Sequence, residues 1–337
     1  MGQFQSSLNS HRRGWSLPWL QRPSGDDGEK ELELFLRPLI SSFIAEIGYH
    51  GPSTTSNETY WITLHQAAVD TGVPHAEDTL SYKSLKLGGY YAIACFPNHP
   101  LDVQVCVGIY TWLAIVVDSS AHQILPDIEC FHQRFATGEP QPTPLLESYA
   151  QSLRSTFNYW DPTTASIIVS SSINFLNACA LEVRPEIEHM TPTRGGQKWP
   201  RYFREKSGVG DTYALFAFPK ALYPDLSCFI EAIPDLSMHV CFVNDILSFY
   251  KEEKAGEKNN CIQNVARYEG RDARVVLKDT ISEVKDGVAR MRSVVKGKEP
   301  YEQALNEYLI GYIEFHMEGD RYKLKEIGLG DTREVGR

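Results

Sequence analysis

From Met238 to Tyr250 the chain is apolar on nearly every helical face, with Val240, Cys241, Phe242, Val243, Ile246, Leu247 and Phe249 leaving no side for water. A helix of this kind has to be enclosed by other elements. Three oxygen-bearing side chains nevertheless recur in and just after it at steps of four: Asn244, Ser248 and Glu252. At 3.6 residues per turn each step rotates by only about 40°, so the three form one stripe. Unpaired burial costs on the order of 1–3 kcal/mol for an amide or hydroxyl and more for a carboxylate. The stripe therefore asks for a cavity containing cations or water; the other reading is an amphipathic helix that shows Asn and Ser to solvent. An amide oxygen, a hydroxyl and a carboxylate are hard ligands, suited to Mg²⁺ or Mn²⁺ rather than zinc or copper. With one carboxylate the ion is held weakly, which leaves positions for water and substrate phosphate oxygens.

The 337 residues, 42% hydrophobic, suffice for a sizeable core, and no linker divides them. A formal charge of −10 argues against an extended nucleic-acid surface, so an anionic substrate has to be held locally. The seven cysteines lack C-x-x-C pairs and are odd in number, which fits reduced thiols in a cytoplasmic protein rather than disulfides or structural zinc. The longest apolar run, Val105 to Val117, falls short of the roughly 20 residues that span a bilayer and reads as a core element. No secretory signal is visible, although Met1-Gly2-Gln3-Phe4-Gln5-Ser6 matches a short myristoylation pattern at Gly2.

Residues 1–28 read as a poorly ordered arm and 29–337 as one all-α domain. Helical spacing runs from Glu29 to Ile47, with Pro38 either kinking the helix or marking its first turn. Further helices are expected over 60–71, 76–86, 101–118, 124–136, 144–155, 163–183, 198–207, 211–217, 226–252, 259–268, 271–295 and 299–326. Only 105–117 and 167–169 compete as strands, and they lack hairpin turns.

Asp118 closes the apolar 105–117 run, where a lone carboxylate opposes the helix dipole unless a cation is near. In Pro200-Arg201-Tyr202-Phe203-Arg204-Glu205-Lys206-Ser207-Gly208-Val209-Gly210, basic residues precede glycines able to break a helix and bare its carbonyls. Asp320-Arg321-Tyr322-Lys323 sets a guanidinium suited to phosphate beside a phenol.

Together these segments resemble the class I terpene cyclases, most closely the fungal trichodiene synthase group of sesquiterpene cyclases. Residues 244–252 match that family's N-D-x-x-S-x-x-K-E motif in full, and order and approximate spacing agree from about residue 30 to 327. The resemblance implies an α-helical bundle around a cavity. It implies that Asn244, Ser248 and Glu252 bind one of three Mg²⁺ ions, with Mn²⁺ the alternative, and that Lys251, Arg204, Arg321 and Tyr322 bind diphosphate. Gly208 falls near the helix-break position. One departure stands out: the aspartate-rich first metal motif is replaced by Asp118-Ser119-Ser120-Ala121-His122. Aligned on Ala136-Thr137-Gly138-Glu139-Pro140, Asp118 takes the metal-bridging first position and His122 the last, where a helix-end histidine is favoured over a ligand.

The implied substrate is farnesyl diphosphate, ionised and cyclised to a sesquiterpene hydrocarbon or alcohol, and the implied assembly is a homodimer. Helix geometry nominates Tyr110, Thr111, Ala114 and Ile115 beside Asp118, and Val240 and Cys241 before Asn244, as pocket walls. Trp112, Phe218, Phe242 and Phe315 are further candidates for aromatic faces toward a cation. A prenyltransferase of the same fold, a silent diphosphate-binding relative and a helical scaffold are the alternatives.

Overall fold

The computed structural model describes residues 26–54, 57–318 and 320–329. Most of the expected arm, with the Gly2 pattern, lies outside them. Among the described residues there are fourteen α-helices and no strand. They are α1 (Asp26–Ile47), α2 (Glu58–Asp70), α3 (Leu80–Cys95), α4 (Leu101–Ser120), α5 (Leu125–Thr137), α6 (Pro144–Tyr159) and α7 (Pro162–Glu182). After the one-turn α8 (Pro185–Glu188) come α9 (Trp199–Ser207), α10 (Gly210–Phe216), α11 (Ile233–Ala255), α12 (Cys261–Glu269), α13 (Ala273–Val295) and α14 (Tyr301–Glu318).

Local chemistry sets most boundaries. Thr143 and Asp161 cap α6 and α7 with side-chain oxygens ahead of a proline that needs no partner, and Gly138, Gly256 and Gly270 end α5, α11 and α12 in the left-handed conformation. Helix α1 continues through Pro38. The Val105–Val117 run is helical within α4, and 167–169 within α7, because their β-branched side chains are packed on several sides.

Several expected boundaries were misplaced. The helix expected over 76–86 is α3, which starts after the Thr79 cap and runs through Gly88-Gly89 to Cys95. A Cβ on Gly88 would come within 2.7 Å of the Gly108 carbonyl oxygen and the Trp112 amide on α4, so these glycines permit close helix contact and break nothing. The helix expected from 226 begins at Ile233, after two 3₁₀ turns, because Pro234 belongs in a first turn. The last expected helix stops at Glu318, and Asp320–Tyr322 and Leu324–Ile327 are 3₁₀ turns.

Helix α11 is the axis of the bundle, packed against α1, α9, α10, α13 and α14, with Leu236, Val243, Ile246, Leu247 and Phe249 all fully buried. Helix α4 is held between α3, α6 and α2. Both α4 and α7 are long and apolar enough to cross a membrane, but 67% and 50% of their apolar windows are buried inside the protein, as core helices are. The C-terminal ends of α4, α7 and α11 meet α9 around a hollow.

Candidate active site

That hollow has a volume of about 520 Å³, within the roughly 300–1,000 Å³ of pockets that hold small molecules. Asp118 from the end of α4, Glu182 from the end of α7, Arg204 from α9, and Asn244 and Glu252 from α11 line its polar side. Ala114, Ile115 and Phe175 line the apolar side, with Phe203, Val209 and Tyr213.

Arg204 is the most heavily bonded of these groups. Its Nε donates to Asp245 Oδ2 at 3.0 Å, and its Nη2 lies 2.8 Å from Asp245 Oδ1, 2.9 Å from the Cys241 carbonyl oxygen and 3.1 Å from Asn244 Oδ1. Burial weighs against the guanidinium charge, but the paired Asp245 carboxylate outweighs it and keeps Arg204 protonated. The Asn244 amide nitrogen donates to His316 Nε2 at 3.2 Å and to the Tyr322 hydroxyl at 3.5 Å. Burial drives the His316 pKa down to about 3, so the ring is neutral.

Asp118 opens onto the cavity solvent yet is ringed by protein, and this desolvation raises its pKa, with the charges of Arg321, Arg204 and Lys251 acting in the opposite sense. Cys179 on α7 donates its thiol to Asp118 Oδ1 at 3.8 Å. Glu252 is likewise raised by burial, and Lys251 sits 3.6 Å from its Oε1 and 5.9 Å from the centre of the Tyr322 ring. Burial pushes the Tyr322 phenol up to about 12. Ser248, one turn below Asn244, is 1% exposed, and its Oγ has no hydrogen-bond partner of acceptable geometry despite the nearby Glu252 carboxylate.

The structure thus brings Asp118, Asn244, Glu252 and Arg204 to one cavity. Ser248, Lys251, Arg321 and Tyr322 are not among its lining residues, but Lys251 neighbours Glu252, Tyr322 neighbours Asn244, and the Arg321 charge acts on Asp118. Gly208 caps α9, but the break is carried by the next residue, Val209, at φ 53° and ψ 27°. Of the nominated walls, Ala114 and Ile115 line the cavity and four others do not. Tyr110 is turned about 80° from Asp118 by its eight-residue separation and bonds Ser172 Oγ at 2.8 Å in the core. Thr111 lies behind Tyr213, whose hydroxyl reaches it at 3.4 Å. Val240 and Cys241 are buried, their carbonyls accepting from Tyr312 and Arg204. Among the aromatic candidates, Trp112 bonds Ser81 Oγ toward α3, Phe218 stacks on Phe229, and Phe242 lies under Arg201. Phe315 packs edge-on to Tyr322, close to the site. His122 is exposed beyond the end of α4.

Sequence reasoning missed Glu182, His316, Phe175 and Tyr213. Glu182 was within reach: like Asp118, it is a lone carboxylate closing an apolar helix. It lies three positions after Cys179, so it shares the face of α7 turned toward Asp118.

The family described as "Trichodiene synthase (TRI5)" matches residues 82–333. Longiborneol synthase CLM1 of Gibberella zeae is 39% identical over 318 residues, covering 93% of this chain and 94% of its own. Terpene synthase BipA of Cochliobolus sativus is 35% identical over 88% of this chain and 92% of its own. Among solved structures, linalool/nerolidol synthase from Streptomyces clavuligerus in complex with 2-fluorogeranyl diphosphate shares the fold with a TM-score of 0.59 at 14% identity, over 81% of this chain and 98% of that one. With its helical bundle, its cavity and these relatives, the chain belongs to the trichodiene synthase family of class I terpene cyclases.

Proposed function

We propose that the protein releases diphosphate from farnesyl diphosphate in a Mg²⁺-dependent reaction and closes the allylic cation into a sesquiterpene hydrocarbon or alcohol. The observation that carries this reading is the shared cavity, in which carboxylates from three helices face Arg204 across a hollow with apolar walls. Relatives named as terpene synthases, and a structural neighbour bound to an isoprenoid diphosphate analogue, support the substrate class.

The donors suit a hard divalent cation. Ser248 Oγ is a buried hydroxyl on the stripe of Asn244 and Glu252, near the Glu252 carboxylate but with no hydrogen bond of full geometry. Among the described residues no three His, Cys, Asp or Glu side chains gather around one point. The donors proposed here are mixed: Asn244 and Glu252 from α11 in the cavity wall, Ser248 between them on the same stripe, and Asp118 and Glu182 at the ends of α4 and α7. When bound, Mg²⁺, or Mn²⁺ in its place, acts as a Lewis acid worth several kcal/mol toward the departing diphosphate. The chain's own residues supply the rest. Arg204, Lys251, Arg321 and Tyr322 donate to diphosphate oxygens. Ala114, Ile115 and Phe175 keep water from the cation, and the faces of Phe203 and Tyr213 attract its charge by roughly 0.5–2 kcal/mol each.

Incubation with C10, C15 and C20 isoprenoid diphosphates, with and without Mg²⁺, followed by gas chromatography and mass spectrometry of an organic overlay, tests this. Cyclic C15 products that need Mg²⁺ are expected, and no product from any chain length would sink the proposal. The segment Asp118-Ser119-Ser120-Ala121-His122, which offers a single carboxylate, favours a second reading as a silent diphosphate binder. Calorimetric binding of inorganic diphosphate without turnover would select it.

A further inference from the structure

A carboxamide has two ends, and only its oxygen can ligate a cation. Asn244 therefore serves its proposed role only if it is held oxygen-outward. Both hydrogens of its Nδ2 have acceptors, His316 Nε2 at 3.2 Å and the Tyr322 hydroxyl at 3.5 Å, while Oδ1 faces Arg204 Nη2 at 3.1 Å. Two neighbours fix this orientation. The guanidinium only donates, so oxygen must face it. His316 Nδ1 lies 2.7 Å from the Tyr312 carbonyl oxygen, which only accepts, so Nδ1 carries the hydrogen and Nε2 presents a bare lone pair. That lone pair accepts from the amide NH₂ and would repel the amide oxygen. Arg204 is shared among Asp245, the Cys241 carbonyl and the diphosphate it is proposed to bind, so its bond to Asn244 competes with those partners. His316, fully buried on α14, stays.

We propose that His316 is a positioning residue that holds the Asn244 carbonyl oxygen toward the cation site, an inference that rests on the proposed reading of Asn244 as a cation ligand. A histidine that merely fills the core would affect folding and leave cation affinity alone.

The test uses the full chain as wild type, His316→Gln, His316→Asn and His316→Leu. Mn²⁺ binding is followed by electron paramagnetic resonance and the thermal shift is measured with Mg²⁺ plus inorganic diphosphate. Glutamine places an acceptor oxygen near the position of Nε2; asparagine reaches the Tyr312 carbonyl but not Asn244; leucine does neither. Cation affinity is expected to fall about 10- to 100-fold in His316→Asn and His316→Leu, the usual effect of removing an outer partner, and to stay within about threefold in His316→Gln. If the leucine variant fails to fold, the two polar variants carry the comparison. Folded His316→Asn with wild-type cation affinity, or equal losses in His316→Asn and His316→Gln, would overturn the inference. Wild-type protein that binds neither Mn²⁺ nor diphosphate would instead refute the reading of the site itself.

Discussion

Asp118 and Glu182 hang over the cavity from the ends of two apolar helices, and burial makes both weaker acids than usual, with the Asp118 charge adding to the rise at Glu182. A carboxylate whose folded pKa is raised contributes stability below its unfolded pKa and loses it as pH rises through the folded value, so at neutral pH the pair strains the cation-free protein. Two opposite shifts are therefore expected from the isosteric Glu182→Gln. Without cation its melting temperature should rise above wild type, whereas the gain from Mg²⁺ plus diphosphate should shrink and the Mg²⁺ needed for half-maximal turnover should increase about tenfold or more. Melting curves with and without ligands decide it, and an unchanged Mg²⁺ requirement would exclude Glu182 from the cation site. Asp118→Ala and Glu252→Ala remove proposed ligands outright and should cost more turnover than the roughly 10- to 100-fold typical of outer-shell changes, measured as product formed per minute. The stripe of Asn244, Ser248 and Glu252 was legible because helical periodicity is local. Glu182 carried only the weaker signal of a lone carboxylate closing an apolar helix, because its approach to Asp118 is made between the ends of two helices distant in sequence and no spacing partner announces it.

At the scale of elements, the α9–α10 break decides where Arg204 sits. Gly208 is needed for space rather than for its backbone freedom: a Cβ there would stand 2.3 Å from Cys241 Sγ and 2.9 Å from the Arg204 carbonyl oxygen. The conformational cost falls on Val209, a β-branched residue in the left-handed region, where strain of about 1–3 kcal/mol is typical. Gly208→Ala should destabilise by about 1–3 kcal/mol and, by pressing α9 away from α11, reduce turnover as well. Adding Cys241→Ala removes the nearer clash and should recover part of the melting temperature, while the contact with the Arg204 carbonyl persists. Equal losses in the single and double variants would show that the clash with the Cys241 thiol is not the cause. The glycines before and after Val209 suggested a break at this place, but nothing local revealed which residue would bear the strained backbone. The same blindness misplaced the end of α3, because Gly88-Gly89 reads as a stop until α4 is known to lie against it.

Across the whole molecule, acid sensitivity is set by groups buried in the interior between helices far apart in sequence. Burial lowers His99 to about 4 and both His239 and His316 to about 3, so all three are neutral in the fold and take up protons only on unfolding. The unfolded chain then binds more protons, and stability falls as pH drops from about 6.5 toward the folded values, by up to about 1.4 kcal/mol per pH unit for each ring. Glu314 adds to this at lower pH. Burial alone would raise its pKa, but bonds from Ser53 N at 2.8 Å, Ser53 Oγ at 3.0 Å and Thr54 N at 2.9 Å lower it, so its contribution is lost below the ordinary glutamate range. His239 separates these effects most cleanly, because neither ring nitrogen has a hydrogen-bond partner and the side chain borders Tyr312 rather than the cavity. Two unsatisfied nitrogens cost stability even at neutral pH, on the order of 1 kcal/mol or more. His239→Phe should therefore match or exceed wild-type stability at pH 7.5, and its advantage should widen steadily as the pH is lowered through 6. Urea unfolding at a series of pH values measures the difference directly. A gap that stays constant between pH 7.5 and 5 would mean that His239 is protonated in the folded protein and has an acceptor.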